Sequence, residues 1–153
     1  MDVRMFSPFL EAVFQVLPGL GLQQVERGEL ALKEKMQATN DVTALIGLSN
    51  GLRGNVAISM SEQTAKRIAS IMMMGKPVAA LDEMAQSAIA ELANMLASSA
   101  VTTFEQNGLA VGVSPPTLIT GKNLFCIVSQ VKALAVQFRT ETGPIEISIG
   151  LEI

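Results

Sequence analysis

The sequence predicts an α+β fold: one domain over residues 1–153, with helices packed on a largely antiparallel sheet. Three observations carry this. Hydrophobic residues make up 49% of 153 residues, enough for one core without a disulfide or metal staple. Three stretches place apolar residues at helical spacing. Strand-like runs bounded by Gly, Pro and Asn lie between the first two helices and after the third.

The first helix is expected from about Arg4 to Val16, with Phe6, Phe9, Leu10, Val13 and Phe14 on its apolar face. Ser7-Pro8 suits its start and Pro18-Gly19 its stop. Gln24 to Met36 mixes charge with Leu30 and Leu32, which fits an exposed strand or a bent hairpin. Val42 to Leu48 and Gly54 to Met60 form a second pair of strands around Ser49-Asn50-Gly51. Ser61 or Glu62 opens the next helix, which runs to Met74 and ends at Gly75. Met72, Met73 and Met74 read as flexible core filling in preference to a sticky partner surface. Leu81 to Gln106 is a long helix stopped by Asn107-Gly108. Four strands follow: Leu109 to Val113, Leu124 to Gln130, Ala133 to Thr140 and Ile145 to Ile153. The last is expected at a sheet edge, where it could pair with a second copy of the chain.

Composition removes several function classes. There is no histidine and one cysteine, Cys126, so His/Cys zinc sites, His-dependent acid–base catalysis and an intramolecular disulfide are excluded. Cys126 sits in an apolar run and reads as a core thiol; a lone cysteine fits the cytoplasm. A net charge of -3, with no basic run, disfavours nucleic acid. Apolar runs are short and broken, so no membrane insertion is expected. The segment Met1 to Gly21 lacks a basic start and a small-residue cleavage site, so it reads as an amphipathic helix rather than a signal peptide.

Two other features have ordinary explanations. Gly51-Leu52-Arg53-Gly54 is a tight turn, since no Gly-Lys-Ser/Thr ending or helix start follows. Asp82 and Glu83 suit the positive end of a helix dipole.

The long helix carries an unusual polar stripe. Ser87, Glu91 and Asn94 stand at i, i+4 and i+7, within an arc of roughly 60° at about 100° per residue. Ser98 continues the stripe, Ile89, Leu92 and Leu96 point away, and Ala90, Ala93 and Ala97 are expected to leave it open. A carboxamide is a poor base, but it can donate and accept hydrogen bonds and so hold a water in one orientation. Phosphoryl transfer needs mainly positioning and charge compensation. An Asn beside a carboxylate therefore suits hydrolysis of a phosphoryl group supplied, with its metal, by another molecule. On spacing alone, such a stripe is more often an ordinary solvated face.

The distant context narrows the choice. Ser87, Glu91 and Asn94 are followed by Pro116 after twenty-one residues, and with Pro at about 5% of residues this makes a chance match about twentyfold rarer. The spacing resembles the signature of the CheC/CheX/FliY chemotaxis phosphatases: Asp or Ser, three residues, Glu, two residues, Asn, twenty-one residues, Pro. Ser87 to Leu96 resembles the signature helix, Pro116 to Gly121 the loop after it, Ser7 to Ala12 the opening helix of CheX, and Met73-Met74-Gly75 the turn before the signature helix. One full motif is present, as in CheX, where CheC has two. Ala90 and Ser98 depart from the glycines common in relatives.

The resemblance implies a CheX-type phosphatase acting on the aspartyl phosphate of a CheY-type receiver. Asn94 would place the attacking water and Glu91 would pair with the receiver's lysine; Ser87 and Pro116 would belong to the binding surface, Ser87 by binding the receiver backbone or by supporting the helix, and Pro116 by fixing the loop after the first late strand, a task Pro115 could share. Magnesium would be supplied by the receiver, with no cofactor or metal site in this chain, and the protein would be a homodimer. Two other readings stay open: a non-catalytic module that docks on a receiver or the flagellar switch, and a small-molecule sensor that uses the Met-rich region as a pocket.

Overall fold

The computed structural model describes residues 3–38, 40–122 and 126–152. A 3-10 turn, Val3–Met5, leads into helix α1, Ser7–Leu20. Its buried stripe is Pro8, Phe9, Ala12, Val13 and Leu17. Pro18-Gly19 does not end the helix, contrary to expectation. Pro18 lies in the last turn, and the stop comes at Gly21, whose φ of 109° reverses the chain. Phe14 is 45% exposed, so it sits at the rim of the apolar face.

Strands β1, Glu26–Lys33, and β2, Met36–Ala38, fill the next stretch. They are not a hairpin, because they join different sheets. β3, Val42–Asn50, and β4, Arg53–Met60, form the expected hairpin, with Val42 opposite Met60 and Leu48 opposite Gly54. Helix α2, Glu62–Met72, is capped by Ser61, whose Oγ accepts the Thr64 N–H at 3.1 Å. The chain then turns at Met73 to Gly75. The core-filling role expected of the Met run fails at Met74, which is 98% exposed with φ 61°. The Schellman-type bond from the Gly75 N–H to Ser70 O at 2.8 Å throws this side chain outward.

Helix α3, Glu83–Gln106, is opened by Asp82, whose Oδ1 accepts the Ala85 N–H at 2.9 Å. Removing that cap would cost about 1 kcal/mol. β5, Val111–Val113, is followed by a strand that the sequence reading missed, β6, Thr117–Thr120. β7, Cys126–Ser129, β8, Ala133–Thr140, and β9, Gly143–Glu152, complete the chain. Leu124 and Ile153 lie outside the described residues, as does the side chain of Cys126.

The main sheet is antiparallel and runs β1-β8-β9-β4-β3, with β5 and β6 both on the outer side of β3. The order is palindromic. Hairpins β3–β4 and β8–β9 meet at the centre through β4 and β9, and each outer partner belongs to the other half of the chain. β2 and β7 pair with each other. The final strand is therefore not an edge, which corrects the expectation. Ile145, Ile147, Ile149 and Leu151 are buried on one side of β9, and both of its ladders are occupied. Among the described residues, β1 closes one side of the sheet and pairs only with β8, while β5 and β6 close the other and pair only with β3.

The helices cover one face. Phe9, Val13 and Leu17 of α1 and Ile89, Leu92, Leu96 and Phe104 of α3 pack with Ile46, Ile58, Val136, Phe138 and Ile147 from the sheet. Phe9 and Phe104 meet edge to face at 5.5 Å and lock α1 to α3. Ile89 is fully buried, and truncating it to Ala would cost about 2–5 kcal/mol and loosen α3. The other face bears small and polar groups, such as Ala57 and Ala133, with Met36 of β2 buried against them. Thr43 and Ser59 satisfy each other there at 3.0 Å.

Candidate active site

α3 is 24 residues long with no Gly or Pro, so it is a stiff rod. Its buried stripe, from Ala85 through Ile89, Leu92 and Leu96 to Phe104, fixes its rotation on the sheet. That rotation leaves Ser87, Glu91 and Ser98 exposed and Asn94 half-buried. Side chains one turn apart stand about 5–6 Å apart at Cβ, close enough for Ser87, Glu91 and Asn94 to act on one docked group. Among the described residues, none of these three side chains has a hydrogen-bond or ion-pair partner. Three neighbouring polar groups are thus held on one rigid scaffold with no partner among the described residues.

The small neighbours behave differently from one another. Ala90 reaches the surface beside the stripe, but Ala93 and Ala97 are buried against the core and do not border it. Ala93 and Ala97 instead let α3 approach the layer beneath.

Pro116 sits off the helix, between β5 and β6. β5 pairs with Leu48 to Asn50 of β3, and β6 pairs with Val42 to Leu45. The Ser114–Pro116 segment bridges the break. Ser114 N–H donates to Gly47 O at 2.9 Å, and Ser114 Oγ accepts the Gly47 N–H at 2.8 Å. Pro115 and Pro116 have no N–H to donate, so they occupy the stretch where the ladder is broken. A Cβ on Gly47 would lie 3.3 Å from Ser114 Oγ, so the glycine permits this close approach. β6 then runs beside the first turns of α3, where Glu83, Gln86, Ser87, Ala90 and Leu118 line a shallow recess.

Sequence reasoning found the helix residues and missed Ser114 and Leu118. Gly47 inside a strand pattern was the available signal, since an isolated strand glycine marks a bulge or close backbone contact. The helix starts at Glu83 and not at Leu81, so Asp82, expected within the first turn, stands just before it as the cap of α3 and Glu83 alone of the pair lies in that turn. Gly51 to Gly54 forms the turn of the β3–β4 hairpin and the start of β4. A separate cavity of about 660 Å³, lined in part by Arg4, Glu11, Phe104 and Asn107, lies at the opposite end of α3 and shares no residue with the stripe. Among the described residues, no group of three or more Cys, Asp and Glu is placed to hold a metal ion. No described helix is long and apolar enough to cross a membrane.

With this geometry in view, the likeness to known proteins is specific. The family model for the chemotaxis phosphatase CheX matches residues 42–139, which include Ser87, Glu91, Asn94 and Pro116. The CheY-P phosphatase CheX of Thermotoga maritima is 30% identical over 124 residues, 81% of this chain and 80% of that protein. The crystal structure of a CheC-like superfamily protein from Shewanella sp. PV-4 superposes with a TM-score of 0.88 at 26% identity, over 100% of both chains. CheX in the CheX–CheY–BeF3–Mg complex from Borrelia burgdorferi superposes with a TM-score of 0.83 at 27% identity, over 97% of this chain and 98% of that one. From its sequence, its sheet order and the position of its signature helix, the chain belongs to the CheX family of chemotaxis phosphatases.

Proposed function

We propose that this chain dephosphorylates a CheY-type response-regulator receiver by hydrolysing its aspartyl phosphate. The observation that carries the reading is the unpartnered Ser87–Glu91–Asn94 stripe on the exposed face of α3, in a chain 30% identical to a CheY-P phosphatase. Residues 1–153 act as one domain in this reading.

Docked on the receiver, the Asn94 carboxamide donates to and accepts from one water and aims its oxygen at phosphorus, opposite the aspartyl oxygen. The P–O bond to the aspartate breaks as the new one forms, leaving a free carboxylate and inorganic phosphate. Glu91 pairs with the receiver's active-site lysine and fixes the register of docking. Ser87, one turn earlier, belongs to the contact surface, and Pro116, at the entry to β6, shapes that surface. Receiver-bound magnesium offsets charge on the phosphoryl oxygens. The Borrelia burgdorferi complex supports that division of labour, since CheX there is accompanied by CheY, beryllium fluoride and magnesium.

The reading includes a cytoplasmic homodimer. The free edge of β1, with Leu30 52% and Leu32 59% exposed, is the sheet edge able to pair with a second copy. The opposite edge is broken by Pro115 and Pro116.

The test is the decay of phosphorylated CheY-type receiver with magnesium, with and without this protein, and with Asn94→Ala. Faster decay that is lost in the variant supports the reading. Receiver binding without faster decay would leave a docking module and sink the phosphatase.

A further inference from the structure

The recess between α3 and β6 has no role in the water-positioning scheme, yet it adjoins it. We propose that this recess is a second seat for the receiver, taking one apolar side chain of the docked domain and selecting among receivers. The inference rests on the phosphatase reading and deepens it by extending the contact surface from the helix to β6.

Three observations support it. The recess is continuous with the stripe: Ser87 lines it and also begins the Ser87–Glu91–Asn94 row, so a partner lying over that row overlies the recess. Its open space depends on small and tethered groups. Ala90 leaves room where a longer side chain would fill it, and the Gln86 amide donates to Leu81 O at 2.8 Å and so is held to the wall. Its apolar surface comes from Ala90 and Leu118, both half-buried, which suits an uncharged apolar visitor.

The recess also gives Pro116 a task. Pro116 stands two residues before Leu118, at the entry to β6, and Leu118 pairs with Ala44 in register. By fixing where β6 starts after the ladder break, Pro116 sets the height of Leu118 against α3. It acts through Leu118 and is a positioning residue.

Steady-state dephosphorylation of a CheY-type receiver tests this with Ala90→Leu, Leu118→Ala and Pro116→Ala. Leu is a good helix former, so Ala90→Leu keeps α3 intact. It should raise KM about tenfold while kcat stays within about threefold of wild type. Leu118→Ala should raise KM less, and Pro116→Ala should add little once Leu118 is already Ala, giving a coupled pair in a double-mutant cycle. An Ala90→Leu protein with wild-type KM, or one with lower kcat and unchanged KM, overturns the seat. If wild type accelerates no decay, the phosphatase reading fails on its own. Titration of the beryllium-fluoride-loaded receiver into wild type and Ala90→Leu then decides the seat: weaker binding by the variant supports it, and equal binding or none overturns it.

Discussion

Helix α1 carries Ser7, Glu11 and Phe14 at the same spacing at which α3 carries Ser87, Glu91 and Asn94. The palindromic sheet order puts the two helices in matching halves of the fold, packed on each other and on the same face of the sheet. Their outer faces nevertheless differ. On α3, the third position is a carboxamide with no partner among the described residues. On α1, it is an aromatic ring that meets Phe138 edge to face at 5.6 Å. The α3 stripe begins in the second turn, over a fully hydrogen-bonded backbone. The α1 stripe begins at the first helical residue, followed at once by Pro8. α3 is flanked by β6 and its recess. Glu11 instead borders the cavity between the start of α1 and the end of α3. Equal spacing therefore does not make equal sites. A carboxamide with no partner among the described residues, on a helix flanked by an open recess, is the difference.

The sharpest test of that contrast is Asn94→Ala, which should reduce acceleration of receiver dephosphorylation about tenfold to a thousandfold with an unchanged melting temperature, because the half-exposed amide supports little of the fold. Next, Glu91→Ala should raise KM for the receiver about tenfold by removing one charge-assisted contact, and raising salt should weaken wild type more than the variant. Phe14→Asn in the Asn94→Ala background probes α1 directly. No activity should return, and denaturant unfolding should show a loss of about 1 kcal/mol as the contact with Phe138 disappears. Restored dephosphorylation there would break the comparison and reduce it to one residue identity. Glu11→Ala should change kcat/KM by less than about twofold, and a loss matching that of Glu91→Ala would reveal a second docking face.

Much of this was legible along the chain because it is local. Helical spacing in Ile89, Leu92 and Leu96 determined which side of α3 faces inward, and so which side presents Ser87, Glu91 and Asn94. Ser61 and the turn residues marked the start of α2 and the β3–β4 hairpin. The errors have physical causes. Hydrophobicity alone puts Met74 in the core, but a local left-handed turn turns it out. Pro116 to Gly121 resembles the loop after the signature helix, yet Thr117 to Thr120, rich in β-branched residues, forms a strand by completing the edge of β3.

By itself, then, the sequence determined the helices, the β3–β4 hairpin and the Ser87–Glu91–Asn94 stripe, since each depends on a pattern within a segment. Tertiary structure alone decided that β9 lies at the centre of the sheet, that β1 keeps a free edge, and that Leu118 comes beside Ser87. Those facts depend on which strands pair across tens of residues. Pairing is set by the burial of whole faces together, and no short window of sequence contains it.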